Sequence, residues 1–97
     1  MGLRFQWDAA KAKQNLRKHQ VSFEEATTAF DDELSLTVPD PTHAAGEARF
    51  LLLGQTSRLR LVVVAFTEPG PNIDDIRIIS ARLADRGERH DYEEVQG

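Results

Sequence analysis

The chain has 97 residues, 40% of them apolar and 29% charged, with no cysteine and a formal net charge of −4. That is the size and composition of one globular domain, taken as 1–97, and the missing cysteines exclude disulfides, thiolate metal sites and cysteine nucleophiles. The longest apolar run, Leu61 to Phe66, is too short for a membrane span or a signal peptide, so a cytoplasmic protein without a membrane anchor is expected.

Phe5 and Trp7 alternate with Arg4 and Gln6, the period-two pattern of a short strand with one buried face. Asp8 fits an N-cap, its carboxylate accepting from orphan backbone N–H groups, and predicts a helix over roughly 9–18. Ala9, Ala12, Leu16 and His19 fall on one face of that helix, and Lys11, Asn15 and Lys18 on another. Ser22 and Glu25 read as a capping box with Val21 stapled against Ala26, which starts a second helix at Phe23 and ends it near Phe30. Its apolar stripe is Phe23, Ala26, Thr27 and Phe30, with Glu24, Glu25, Thr28 and Asp31-Asp32-Glu33 expected in water.

Leu34, Leu36 and Val38 alternate with Ser35 and Thr37 in a strand that closes at Pro39. Small polar residues from Thr42 to Glu47 suggest a mobile loop before a strand from Arg49 to Gly54. A turn over Gln55 to Arg58 leads to the continuous apolar run Leu61 to Phe66, which suits a central strand covered on both faces. After the loop containing Pro69-Gly70-Pro71-Asn72, Asp75 to Ala81 is strongly β-prone, with strict alternation placing Arg77 and Ile79 opposite Ile76, Ile78 and Ser80. A charged helix is expected from Arg82 to about Val95, anchored by Leu83, Tyr92 and Val95 and weakened at Gly87 by about 1 kcal/mol relative to alanine. The fold class is α+β: a mostly antiparallel sheet of four to five strands, two N-terminal helices, one C-terminal helix, and the helices packed on one face.

Charge is segregated. Residues 1–20 carry Arg4, Lys11, Lys13, Arg17 and Lys18 against Asp8 alone, whereas residues 21–50 carry Arg49 against Glu24, Glu25, Asp31, Asp32, Glu33, Asp40 and Glu47. A basic face and an acidic face suit two kinds of partner, or simply a solvated surface. His19 fits a structural histidine near a helix C-terminus, and His19, His43 and His90 lack metal-site spacing, so no metal and no cofactor is expected.

In order and spacing the chain resembles the BrnT family of bacterial toxins. The resemblance rests on Phe5-Gln6-Trp7-Asp8, Lys11-Ala12 with Asn15 and Lys18-His19, and Val21 to Ala26 with Phe30. It continues through Glu47 and Arg49, Leu61 to Val64, Ile76 to Arg82, and Glu88-Arg89 with Tyr92. It implies a RelE-like fold, ribonuclease activity that arrests translation, and neutralisation by a small BrnA-like ribbon-helix-helix antitoxin. The operator DNA would be contacted only through that antitoxin, and a toxin dimer would sit in a heterotetramer with it.

Metal-free RNA cleavage needs a base for the ribose 2′-hydroxyl, cations for the charge on the phosphorane, and an acid for the leaving 5′-oxygen. The catalytic candidates are Glu68 as base, Arg77 and Arg82 as phosphate ligands, and Tyr92 to position or protonate. Arg86 and Arg89 continue a stripe from Arg82 and, with Lys11 and Lys18, are candidates for RNA binding, although the two lysines suit an antitoxin equally. Each has a structural alternative: Arg77 paired with Asp74 or Asp75, the arginine stripe balanced by Asp85, Glu88 and Glu93, Tyr92 as a core anchor, Glu68 as a solvated strand end. Pro69 stands where the family pattern commonly has arginine, and the chain is acidic. The alternative function is therefore a catalytically weak or inactive homologue acting as a protein-binding co-repressor.

Overall fold

The computed structural model describes residues 2–41 and 48–96. The expected loop at 42–47, with His43 and Glu47, lies outside the described residues. In chain order the elements are β1 (Arg4–Gln6), α1 (Ala9–His19), α2 (Phe23–Thr28) running into a 3-10 turn (Ala29–Asp31), β2 (Leu36–Pro39), β3 (Arg49–Gln55), β4 (Leu61–Thr67), β5 (Asp75–Leu83) and α3 (Arg86–Gln96). They build one five-stranded sheet in the order β1-β5-β4-β3-β2. β2 to β5 form an antiparallel meander, and β1 joins the far edge parallel to β5, so the sheet is mixed.

Local chemistry accounts for the helix starts. Asp8 Oδ1 accepts from Ala10 N–H at 2.8 Å and Lys11 N–H at 3.1 Å, and Ser22 Oγ accepts from Glu25 N–H at 2.9 Å. α1 ends where Gln20 turns left-handed at φ 57°. β4 is buried along its whole length, as its valine-rich run requires. Register sets Val62, Val64 and Phe66 of β4 on the same side as Phe50 and Leu52 of β3 and Ile78 and Ala81 of β5. This side meets Val21, Phe23, Ala26 and Ala29 in the core. Edge-on aromatic contacts close it, Trp7 on Phe23 at 5.8 Å and Phe30 on Phe66 at 5.1 Å between ring centroids. A Cβ at Gly54 would come within 3.0 Å of the Ala29 carbonyl oxygen, so β3 and the 3-10 turn approach as closely as they do because position 54 has no side chain.

Five expectations are corrected. First, the helices do not share one face: α1 and α2 cover one side, while α3 lies over the β2–β3 end of the other, where Leu36, Val38, Leu51, Leu53 and Val63 form a second apolar patch. Second, Asn15 shares a helix face with the exposed Lys11 and Lys18 but is itself buried, because β1 pairs only with Asp75 to Arg77 and leaves the rest of β5's edge open. Its side-chain amide donates to Ala81 O at 2.8 Å and Val21 O at 2.9 Å, and its carbonyl accepts from Ala81 N–H at 3.1 Å, standing in for a neighbouring strand.

Third, Glu25 is buried rather than exposed. It accepts from Thr56 Oγ1 at 2.8 Å and is paired with Arg60, whose hydrogen bonds hold its carboxyl below the ordinary range against the opposing effect of burial. Fourth, Arg82 lies on β5, not on a helix, and α3 begins only after a reciprocal cap in which Asp85 Oδ1 accepts from Glu88 N–H and Glu88 Oε1 accepts from Asp85 N–H. Fifth, Ser80 is on the side of Arg77. A bulge at Ile79 shifts the register, so Arg77, Ser80 and Arg82 oppose Thr67, Ala65 and Val63 on one face.

Candidate functional site

At the end of the sheet away from α3, register sets Gln6, Arg77, Thr67 and Arg49 in a row across β1, β5, β4 and β3. Their sheet neighbours Phe5, Ile76, Phe66 and Phe50 point to the core, so the row lies on the face that α1 and α2 leave uncovered. Thr67 is fully buried, and its hydroxyl has no hydrogen-bond partner among the described residues. The buried Nε of Arg49 likewise makes no hydrogen bond, with Asp40 Oδ2 standing 3.7 Å away. Native proteins rarely leave such groups unmet, because each costs about 1–3 kcal/mol. The two lie side by side next to the half-buried Arg77, with Asp40 within ion-pair distance of Arg49; donors of this kind suit oxygens that bear negative charge.

Beside this row a groove of about 300 Å³ runs between α1 and β5, lined by Lys11, Lys18 and His19 on one wall and Ile79 and Ser80 on the other. Asn15 forms its floor and fixes the spacing of the two walls. Lys11 and Lys18 are exposed on the rim. The fold therefore gathers three of the predicted residues, Arg77, Lys11 and Lys18, around the Ser80 segment of β5.

The other predicted residues are placed differently. Arg82 shares the face of Arg77 but pairs with Val63 where Arg77 pairs with Thr67, a separation of about 13 Å at ~3.3 Å per strand residue. Its guanidinium donates to both carboxylate oxygens of Glu88 at 2.8 Å, which raises the Arg82 pKa and holds Glu88 below the ordinary range. Tyr92 is buried on α3 and donates to Asp32 Oδ2. Burial opposes ionisation of Asp32. The Tyr92 hydroxyl and the backbone N–H groups of Gln55 and Leu34 outweigh it and lower the pKa. Tyr92 thus ties α3 to the turn before β2. Glu68 is exposed one residue beyond Thr67, and Arg86 and Arg89 are exposed on α3.

Sequence reading alone missed Thr67, Arg49, Gln6 and Ser80 as members of the site. A polar residue closing the apolar β4 run was the available signal for Thr67, but the other three are brought in by strand register and the bulge. Among the described residues, no group of three or more His, Cys, Asp or Glu side chains is placed to hold a metal, and no helix is long and apolar enough to cross a membrane.

Comparison with known proteins identifies the family and the fold. A family model described as the ribonuclease toxin BrnT of type II toxin–antitoxin systems matches residues 7–88. The 1.1 Å crystal structure of the Brucella abortus ribonuclease toxin BrnT superposes with a TM-score of 0.60 at 22% sequence identity, covering 87% of this chain and 99% of that one. At that identity the likeness is one of fold. No curated protein sequence matches the chain.

Proposed function

Because the chain belongs to the BrnT family of ribonuclease toxins of type II toxin–antitoxin systems, we propose that it is a RelE-like, metal-independent endoribonuclease that cleaves RNA to inhibit translation and is neutralised by a cognate antitoxin. The observation that carries this reading is the registered row of Arg77, Thr67 and Arg49 on the sheet face opposite α1 and α2, with two buried donors that make no hydrogen bond. A phosphodiester seated there receives hydrogen bonds from the Arg77 guanidinium, the Thr67 hydroxyl and Arg49 Nε. These donors strengthen as charge builds on the phosphorane, in a setting drier than bulk water. Glu68, exposed beside the row, takes the proton of the ribose 2′-hydroxyl, and water protonates the leaving 5′-oxygen. Lys11 and Lys18 guide the RNA backbone along the α1–β5 groove, while Arg82, Arg86 and Arg89 meet a more distant part of the strand. Tyr92 acts as a positioning residue, holding α3 in place through Asp32. The partner is a BrnA-like ribbon-helix-helix protein that contacts operator DNA on behalf of a heterotetramer.

Incubating the purified chain with RNA in EDTA tests the proposal. Fragments are expected, and Arg77→Ala should lower the rate by about 100-fold or more with an unchanged circular dichroism spectrum. Intact RNA in the presence of folded wild-type protein refutes it. A second reading, a non-catalytic co-repressor, is favoured by one observation: the side chains of the catalytic candidates Arg82 and Tyr92 are bound within the protein, to Glu88 and Asp32. That reading expects tight antitoxin binding with no cleavage and no growth arrest on expression.

A further inference from the structure

The face that carries Arg77 also carries, at its opposite end, a groove between α3 and the β2–β3 edge. Its cavity of about 190 Å³ is lined by Leu36, Val38, Leu51, Leu53 and Val63. Pockets that hold small molecules run to roughly 300–1,000 Å³, so this one suits a single bulky side chain. Val38, in its lining, stays 52% exposed. The α3 wall supplies Glu88 and Asp91. Glu88 is already engaged by Arg82, whereas the Asp91 carboxylate makes no hydrogen bond or ion pair with any described residue. The exposed acids Asp31 and Glu33 before β2 and Glu93 on α3 add to the negative charge of this end, with Glu94 paired to His90 at 3.0 Å, against Arg86 and Arg89, which do not line the groove.

We propose that this groove docks an amphipathic, cationic helix of a partner protein, with one bulky apolar side chain in the cavity and a lysine or arginine beside Asp91. The proposal rests on the toxin–antitoxin reading for the existence of such a partner. A helix is favoured over an added strand because β2 offers only four residues and ends at Pro39, which cannot donate to a neighbour. The charge argues for a basic segment, since an acidic one would face uncompensated carboxylates. The location also explains how binding silences the protein. Leu51 in the groove lies two residues from Arg49 along β3, about 7 Å, so an occupant stands against the RNA-binding row while leaving the basic α1–β5 groove open.

The test is an NMR titration of the isotope-labelled full chain with two synthetic 15-residue helical peptides of identical leucine spacing, one carrying lysines and the other glutamates at the remaining positions. The lysine peptide should shift the amides of Leu36, Val38, Leu53, Val63 and Asp91, bind about ten-fold more tightly than the glutamate peptide, and weaken as salt rises. Asp91→Lys should reduce its affinity by about ten-fold, and Val38→Glu should abolish binding, with RNA cleavage by both variants unchanged. Equal binding of the two peptides, or shifts confined to the Lys11–Lys18 groove, overturns the proposal. A chain that is dimeric by light scattering and becomes monomeric with Val38→Glu overturns it too, because the occupant is then a second copy. Loss of cleavage in every preparation with peptide binding intact sinks the nuclease reading and leaves the docking surface standing.

Discussion

Replacing Thr67 by valine separates the cost of the site from its use. Thr67 is fully buried at the end of the central strand, and its hydroxyl has no hydrogen-bond partner among the described residues. Burying a hydroxyl without a partner costs about 1–3 kcal/mol, whereas valine has nearly the same shape and an equal preference for strands. Thr67→Val is therefore expected to stabilise the protein by about 1 kcal/mol or more, a rise in Tm of about 4–8 °C for a domain of this size. If the hydroxyl is held for a phosphate oxygen, the same substitution removes a hydrogen bond to a charged group, about 1.5–3 kcal/mol, and slows RNA cleavage by roughly ten- to a hundred-fold. Thermal melts followed by circular dichroism and single-turnover cleavage of a short RNA read the two effects separately. Thr67→Ser, which keeps the hydroxyl and loses a methyl, should do the reverse: lower Tm with cleavage largely retained. A valine variant that melts earlier than the wild type, or cleaves as fast, refutes the assignment of Thr67 to the phosphate site.

Two further substitutions probe the scaffold. Asn15→Ala strips three hydrogen bonds and leaves the backbone of Ala81 and the Val21 carbonyl without partners, an expected loss of about 3 kcal/mol or more in urea unfolding; a loss below about 1 kcal/mol would show that water replaces the amide. Glu25→Gln addresses pH. The Glu25 pKa is lowered from its ordinary 4.5 chiefly by Arg60, so its contribution to stability is complete above that value and is lost as pH falls through the lower folded-state value. Urea midpoints should therefore place the variant about 1–3 kcal/mol below the wild type at neutral pH, with the gap closing in acid below 4.5; a gap independent of pH removes the linkage.

What the sequence made legible was the chemistry that acts over a few residues. Asp8 caps its helix as read, and Ser22 forms its half of the expected capping box while the Glu25 side chain turns to Arg60, because a short polar side chain two or three residues from an orphan N–H needs nothing else from the fold. The valine-rich run of β4 could be read as a strand buried on both faces from its own composition. The interactions that escaped were those between distant residues. Glu25 looked solvated on its helix because its partner Arg60 is 35 residues away, and Asn15 looked solvated because nothing near it announces that β5 would have an unpaired edge there. The Asp85–Glu88 cap was a local signal that went unread, since the charged composition from Arg82 onward already looked helical.

The site itself turned on one residue whose effect could not be read from alternation. On a regular strand, Arg77 and Arg82, an odd number apart, point to opposite faces, and one of them would have to enter the core or leave the strand. Reading Arg82 as the start of a helix avoided that conflict in the wrong way. The bulge at Ile79 resolves it: Ile78 and Ala81 both reach the core, while Arg77, Ser80 and Arg82 share the outer face. The adjacent isoleucines, Ile78-Ile79, are the trace of this in the sequence, because a strand with one apolar face has no use for two in succession. Ile79 is spent lining the groove against α1. A bulge that disrupts the β4–β5 ladder and sits beside Lys11, Lys18 and Ser80 also re-aims side chains toward the groove, which is the role bulges commonly serve beside functional sites. The irregularity that defeats the sequence pattern is thus the same one that sets Arg77, Ser80 and Arg82 on one face.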